Sequence, residues 1–267
     1  MAQKIHPTAI VKDGAKLGAD VEIGAYSVIG PNVELADGVR LQSHVVVGGH
    51  TKIGAETQIF PFASIGLSPQ DLKYDGEDSR LVVGARNTIR EYVTLNPGTS
   101  HGNMETRIGD DCLFMACAHV GHDCVVGNQV ILANSVAIAG HCVLGDFAIF
   151  GGLSCIQQFG RAGAHCFIGG ASATEKDVIP FGMAIGNRAS LAGLNLVGLK
   201  RRGFTREDLR ALMDAFAEIF QSQEGTLHER AEAVAKESQN QHVGHLTDFL
   251  LADKKRPILS PARGAGS

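Results

Sequence analysis

Three of the chain's eleven histidines fall in two short segments, His119 and His122 in AHVGHDC and His141 in AGHC, and Asp123 directly follows His122. A histidine beside a carboxylate can serve as a general base: imidazole titrates near neutrality, and the carboxylate orients the ring and sets its tautomer. Imidazole is also a common zinc ligand, so the same residues could hold a metal ion. They could equally be solvated or interface histidines with no chemistry. The residue types leave base and metal ligand open.

The elements that must position these histidines are set by a period. An aliphatic residue recurs at every sixth position from Ile5 through Ile29, Val47 and Ile65. It returns at Val83, Ile89 and Leu95, then continues one residue out of phase from Ile108 to Ile156, and is last seen at Ile168. Neither a helix of period 3.6 nor an alternating strand of period 2 produces a six-residue beat. Hexapeptide repeats indicate a parallel β-helix.

A second register runs four residues after each aliphatic, where small residues such as Ala63, Ala118, Cys124, Cys142 and Ala148 stand. Glycine often follows the aliphatic directly, as at Gly24, Gly54 and Gly145. A triangular coil accounts for both. The aliphatic fills the interior, the small residue packs where the walls crowd, and glycine stands where a positive φ or a close backbone approach is needed. Three hexads per turn, ~18 residues per coil and ~4.8 Å between coils predict a prism roughly 45 Å tall.

The same arithmetic gathers the polar residues. Val120 and Ile138 are 18 residues apart and should stack, which places His122 and His141 on one face, one coil apart. Gln158 lies 36 residues after His122, two coils along, with Gly140 between them.

Composition fits this scaffold: 33 glycines, no tryptophan and 6% aromatics among 267 residues suit a core of stacked aliphatic rungs. A net charge of -4 offers no support for nucleic-acid binding. There is no long apolar run, and the opening residues lack the build of a signal peptide, so a soluble cytoplasmic protein without stable membrane insertion is expected. Four of the six cysteines (Cys112, Cys124, Cys142, Cys166) occupy the small-residue register and are expected to be buried thiols, which favours a reducing compartment. No C-x-x-C pair is present for zinc.

Two interruptions break the rungs, LSPQDLKYDGEDSR at 67–80 and HGNMET at 101–106. Loops leaving a rigid scaffold are where function tends to sit. The expected organisation is a β-helix domain over 1–190 and a helical domain over 191–267. Capping patterns at Thr205 with Asp208 and at Thr226 with Glu229 open two helices, and a third is expected over 243–252. The last residues, PILSPARGAGS, are expected to lack order. A helical cap would also cover the open end of the solenoid.

Hexads through most of the chain, the QDLKY insertion, AHVGHDC, IQQFG and NLVGLKRRGF together resemble the UDP-N-acetylglucosamine O-acyltransferases that open lipid A biosynthesis. The resemblance covers essentially the whole chain, and QDLKY and GLKRRGF are its specific parts. It implies a mainly β fold, a left-handed parallel β-helix with a C-terminal helical domain, although generic chirality rules favour right-handed crossovers. It implies transfer of a 3-hydroxyacyl group from an acyl carrier protein thioester to the 3-hydroxyl of UDP-N-acetylglucosamine, without a cofactor or metal. His122 would be the general base, Asp123 its orienter and the Gly140 amide the oxyanion donor. Asp71, Lys73, His119 and His141 would hold the sugar and the acyl group. Gln158, Asn195, Arg201 and Arg202 would bind the nucleotide and its phosphates, and Gly170 would stand at the end of the acyl groove. The family is a homotrimer with sites between adjacent prisms, so the QDLKY loop is expected to reach across from the neighbour.

Two positions depart from the family pattern: Val197 stands where an acidic residue is frequent, and Gln157 where IHQF is common. Two other classes compete. A β-helix carbonic anhydrase would use three histidines on zinc, with a ligand spacing that differs from H-x-x-H. A non-enzymatic solenoid would merely line an interface with its histidines.

Overall fold

The computed structural model describes residues 4–252 and 256–262. Short strands, most of two residues and most ending on one of the periodic aliphatics, build three walls. Strands such as Gln58–Ile59 and Phe167–Ile168 form the first wall, Ser64–Ile65 and His119–Val120 the second, and Val125–Val126 and Val143–Leu144 the third. The walls close into a left-handed parallel β-helix with a helical C-terminal part. The expected fold class holds.

Strand pairs repeat at the predicted offset: Val120 faces Ile138, and Ile138 faces Ile156. Like therefore stacks on like, and the periodic aliphatics from Ile23 to Ile168 make one continuous buried core. The cysteines of the small-residue register are buried within it. Burial pushes the Cys112 and Cys166 thiols up, to about 11 and about 12, so these thiols stay protonated at neutral pH.

The corners differ from expectation in one respect. Positive φ belongs mostly to non-glycine residues three ahead of the aliphatic, as at Tyr26, Asp123, His141 and Phe159. The repeated glycines answer the other requirement, close approach. A Cβ on Gly24 would lie 2.6 Å from the Gln42 carbonyl carbon, and one on Gly145 would lie 2.5 Å from the Ala164 amide nitrogen. Left-handed backbone at a corner turns the side chain outwards, which is how bulky polar residues come to line an edge of the prism.

The end of the solenoid is closed in two ways. Gly182–Ile185 pairs parallel with the last coil, and Ser190–Leu194 folds back on it antiparallel, covering the open edge of the first wall. The boundary expected after residue 190 thus falls at the start of this last strand. Four helices follow among the described residues: α1 Leu196–Arg201, α2 Arg206–Gln221, α3 Leu227–Glu237 and α4 Gln241–Ala252. Both expected capping boxes form, Thr205 with Asp208 and Thr226 with Glu229. Sequence periodicity misses α1, because six residues with a central glycine carry no apolar repeat.

The tail differs from expectation over 256–262. Leu259 is buried, its amide donates to the Asp177 carbonyl at 2.8 Å, and the Asp177 amide donates to the Pro257 carbonyl at 3.0 Å. The fully buried Asp177 carboxylate accepts from Arg161 Nε at 2.6 Å and Arg256 Nε at 2.9 Å, pinning the returning chain to the last coil. Low-complexity composition concealed two apolar anchors, Ile258 and Leu259. The remainder of that expected disorder, 263–267, lies outside the described residues.

Candidate active site

At the edge between the second and third walls, one residue per coil turns outwards in left-handed backbone: Asp123, His141 and Phe159, with φ of 58°, 62° and 63°. Phe159 stacks on His141 at 4.4 Å, and His141 meets the His122 ring edge-on at 4.8 Å. The imidazole of His122 is 6% exposed, with Nδ1 at 2.8 Å from Asp123 Oδ2.

Asp123 is held in turn by the loop over 96–104, which contains the start of the second interruption of the rungs. Its carboxylate accepts from the Thr99 hydroxyl at 2.6 Å, the Thr99 amide at 3.0 Å and the Asn103 amide at 2.8 Å. Burial works to raise its pKa, but the bonds from Thr99, His122 and Asn103 outweigh it and hold the carboxyl below its ordinary value. Asp123 is therefore an anion at neutral pH, fixed on one imidazole nitrogen. Sequence reasoning took residues 101–106 as a reset of phase and missed Thr99 and Asn103. A break next to a candidate carboxylate was the available signal.

Nε2 of His122 points the other way, towards the cleft, with Asp71 Oδ2 at 3.9 Å. Asp71 comes from the first interruption of the same chain. The QDLKY segment therefore does not need to come from a neighbour, contrary to expectation. Two coils separate its root at Ile65 from His122, and the segment climbs its own wall, with the Leu67 carbonyl accepting from Asn96 Nδ2 at 3.3 Å. Lys73 is exposed on it.

Gly140 has a local reason to be glycine. A Cβ there would lie 2.6 Å from both Cε1 and Nε2 of His122, so the ring can lie here only over glycine. His119 pairs its Nδ1 with the Thr94 hydroxyl at 2.6 Å. Burial, then the neighbouring His122, lowers the pKa of His119; burial likewise lowers that of His141, although Asp123 opposes it. Both stay neutral at physiological pH and serve as hydrogen-bonding groups.

His119, His122 and Gly140 line a cleft of about 740 Å³. His119, His122, Gly140 and Gln158 give it polar groups, while Ala137, Ala139, Cys155 and Ala173 make an apolar floor. One donor atom each from His122, Asp123 and His141 lies within 4.8 Å of the others, close enough to be considered for a metal ion. The 2.8 Å bond between His122 Nδ1 and Asp123 Oδ2 ties two of these groups to each other and orients the imidazole.

The other expected residues stand elsewhere. Asn195 caps α1: its Oδ1 accepts from the Gly198 amide at 3.2 Å, and its Nδ2 donates to the His165 carbonyl at 3.1 Å. Arg202 lies over the Phe147 ring at 4.9 Å, on the edge between the third and first walls, and Arg201 is exposed. Val197 is exposed on α1. Gly170 sits in the open on the remaining edge, where a Cβ would have only the Gly152 carbonyl oxygen near it, at 3.4 Å. One chain thus gathers Asp71, His119, His122, Asp123, Gly140, His141 and Gln158, and leaves Asn195, Arg201, Arg202 and Gly170 apart.

A prism of hexapeptide coils with a carboxylate-oriented histidine above an apolar floor defines a group-transferring enzyme of the hexapeptide-repeat class. Comparison with known proteins narrows the class. Residues 14–49 and 105–140 match the family described as bacterial transferase hexapeptide (six repeats), and residues 177–259 match UDP-N-acetylglucosamine O-acyltransferase, domain 2. An acyl-[acyl-carrier-protein]--UDP-N-acetylglucosamine O-acyltransferase from Paracoccus denitrificans is 53% identical over 76% of this chain and 77% of its own. One of the same description from Aliarcobacter butzleri is 47% identical over 94% of this chain and 96% of its own. The solved structure of LpxA from Acinetobacter baumannii superposes with a TM-score of 0.92 at 41% identity, covering 95% of this chain and 99% of that one. The chain belongs to the UDP-N-acetylglucosamine O-acyltransferase family and is an acyltransferase.

Proposed function

We propose that the protein transfers a 3-hydroxyacyl group from an acyl carrier protein thioester to the 3-hydroxyl of UDP-N-acetylglucosamine, with His122 as the general base. The observation that carries this is the His122 ring itself, tied at Nδ1 to an anionic Asp123 and open at Nε2 to the cleft. Nε2 takes the proton of the sugar hydroxyl as its oxygen attacks the thioester carbonyl. The Gly140 amide faces the developing oxyanion, where a preorganised N–H in a dry cleft is worth about 3 kcal/mol. Collapse of the adduct breaks the C–S bond, and the imidazolium returns its proton to the departing thiolate.

Asp71, Lys73, His119 and His141 position the sugar and the acyl group, and Gln158 lies at the nucleotide end. Asn195, Arg201 and Arg202 contact the nucleotide and its phosphates from a neighbouring prism, since Asn195 and Arg202 lie on a different edge from His122. A guanidinium fork suits a pyrophosphate. Gly170 ends the acyl groove. This division of residues between edges supports a homotrimer with its sites between subunits.

The test is an acyl-transfer assay with UDP-N-acetylglucosamine and a panel of acyl carrier protein thioesters. Transfer from 3-hydroxyacyl donors is expected; transfer only from donors lacking the 3-hydroxyl, or none, overturns the assignment.

A further inference from the structure

The two carboxylates flanking His122 depend on two separate insertions. Asp71 belongs to the first and faces Nε2, whereas Asp123 itself stands on the coil beside His122 and is held through Thr99 and Asn103 by the loop containing the second. Such loops would move independently unless something joined them, and a displacement of about 1 Å at a reacting group can cost ~10²-fold in rate.

One side chain makes the connection. Glu77 Oε1 accepts from the Ser100 amide at 2.8 Å, across to the second insertion. Its Oε2 accepts from the Asp75 amide at 2.9 Å, and its own carbonyl accepts from the Tyr74 hydroxyl at 3.2 Å, folding the first insertion back on itself. The roots of the insertions are paired close by: Arg80 donates its amide to the Met104 carbonyl at 2.8 Å, and its carbonyl accepts from the Gly98 amide at 3.1 Å. Ser100 directly follows Thr99, which grips Asp123 twice. The Tyr74 amide also donates to the Asp71 carbonyl at 3.1 Å, so a chain of bonds runs from Asp71 through Tyr74, Glu77, Ser100 and Thr99 to Asp123.

We propose, on the acyl-transfer assignment above, that Glu77 is a positioning residue that locks the two insertions into one unit and so sets both carboxylates around His122. The Ser100 amide first, against a smaller effect of burial, holds the Glu77 carboxyl down to about 2, so the lock is charged throughout the physiological range. Glu77 touches no reacting atom. Its effect falls on the placement of the base, and hence on turnover more than on binding.

The test compares Glu77→Ala and Glu77→Gln with the parent enzyme in three measurements: turnover, KM for UDP-N-acetylglucosamine, and amide hydrogen exchange of residues 98–104. Glu77→Ala is expected to lose roughly tenfold to a hundredfold in kcat while KM changes less than about threefold. Exchange should rise over 98–104 and stay unchanged at His119–Val120 in the prism. Glu77→Gln keeps an oxygen for the Ser100 amide and should recover most of the loss. Unchanged kcat in an active Glu77→Ala enzyme overturns the proposal, as does a loss confined to KM. Unchanged exchange over 98–104 overturns the lock whether or not the parent transfers acyl groups, whereas an inactive parent counts against the assigned reaction.

Discussion

The imidazole of His122 is buried, oriented at one nitrogen and open at the other, and this makes its removal the sharpest test of mechanism. His122→Ala should lower turnover by ~10²–10⁴-fold, the usual worth of a positioned proton acceptor. Affinity for the nucleotide sugar should change much less, because the proton moves only as the transition state forms. Single-turnover rates with a binding isotherm check both, and near-normal turnover leaves the mechanism without its base. Asp123→Asn should show a smaller loss, with the ring misplaced but present. If Gly170 ends the acyl groove as proposed, Gly170→Met should shift donor preference towards shorter acyl chains, since a side chain there fills the space of several carbons. A mismatch of one methylene is worth ~1–3 kcal/mol; an unchanged donor profile removes Gly170 from the groove.

At the scale of elements, the junction between the prism and the helices carries a pH dependence. His165 stacks between Phe147 at 4.5 Å and Phe181 at 5.7 Å, with Phe204 edge-on. Its Nδ1 is buried without a hydrogen-bond partner. Burial, then the positive charge of Arg202, with smaller effects of His242 and His245 and an opposing one from Asp146, lower its pKa from 6.5 to about 4. Between those values the unfolded chain takes up a proton that the folded chain refuses, so acidification favours unfolding. Stability should fall as pH drops from 6.5 towards 4, and His165→Phe should flatten that slope in denaturant titrations. An equal slope in both proteins assigns the dependence elsewhere. The rungs make a separate prediction. Phe150 is fully buried between Leu132 and Ile168, so Phe150→Ala should cost ~3–5 kcal/mol in chemical denaturation.

For the whole molecule, the prism presents His122 on one edge and Asn195 with Arg202 on another. If all three serve one site, that site closes only between copies, and the homotrimer is obligate for activity. Sedimentation of dilute enzyme should show loss of activity in step with loss of the trimer, and an active monomer at micromolar concentration overturns this. No helix among the described residues is long and apolar enough to cross a membrane.

The hexad beat determined the walls, the stacking offset and the identity of the buried rungs, because a period of six admits one way of burying an aliphatic at each step. The same 18-residue offset brings His122, His141, Gly140 and Gln158 together. Local sequence also sufficed for the caps of α2 and α3, whose bonds span only three residues. It failed where the deciding partner was remote. Asp71 meets His122 in its own chain only because the insertion climbs two coils. The Asp123 carboxyl is held below its ordinary value in part by Thr99 and Asn103, which donate to it from a different loop, and the tail at 256–262 is pinned by its remote contacts with Asp177. A repeating lattice is written in the order of its residues, whereas the meeting of two irregular loops depends on packing distances that no spacing records.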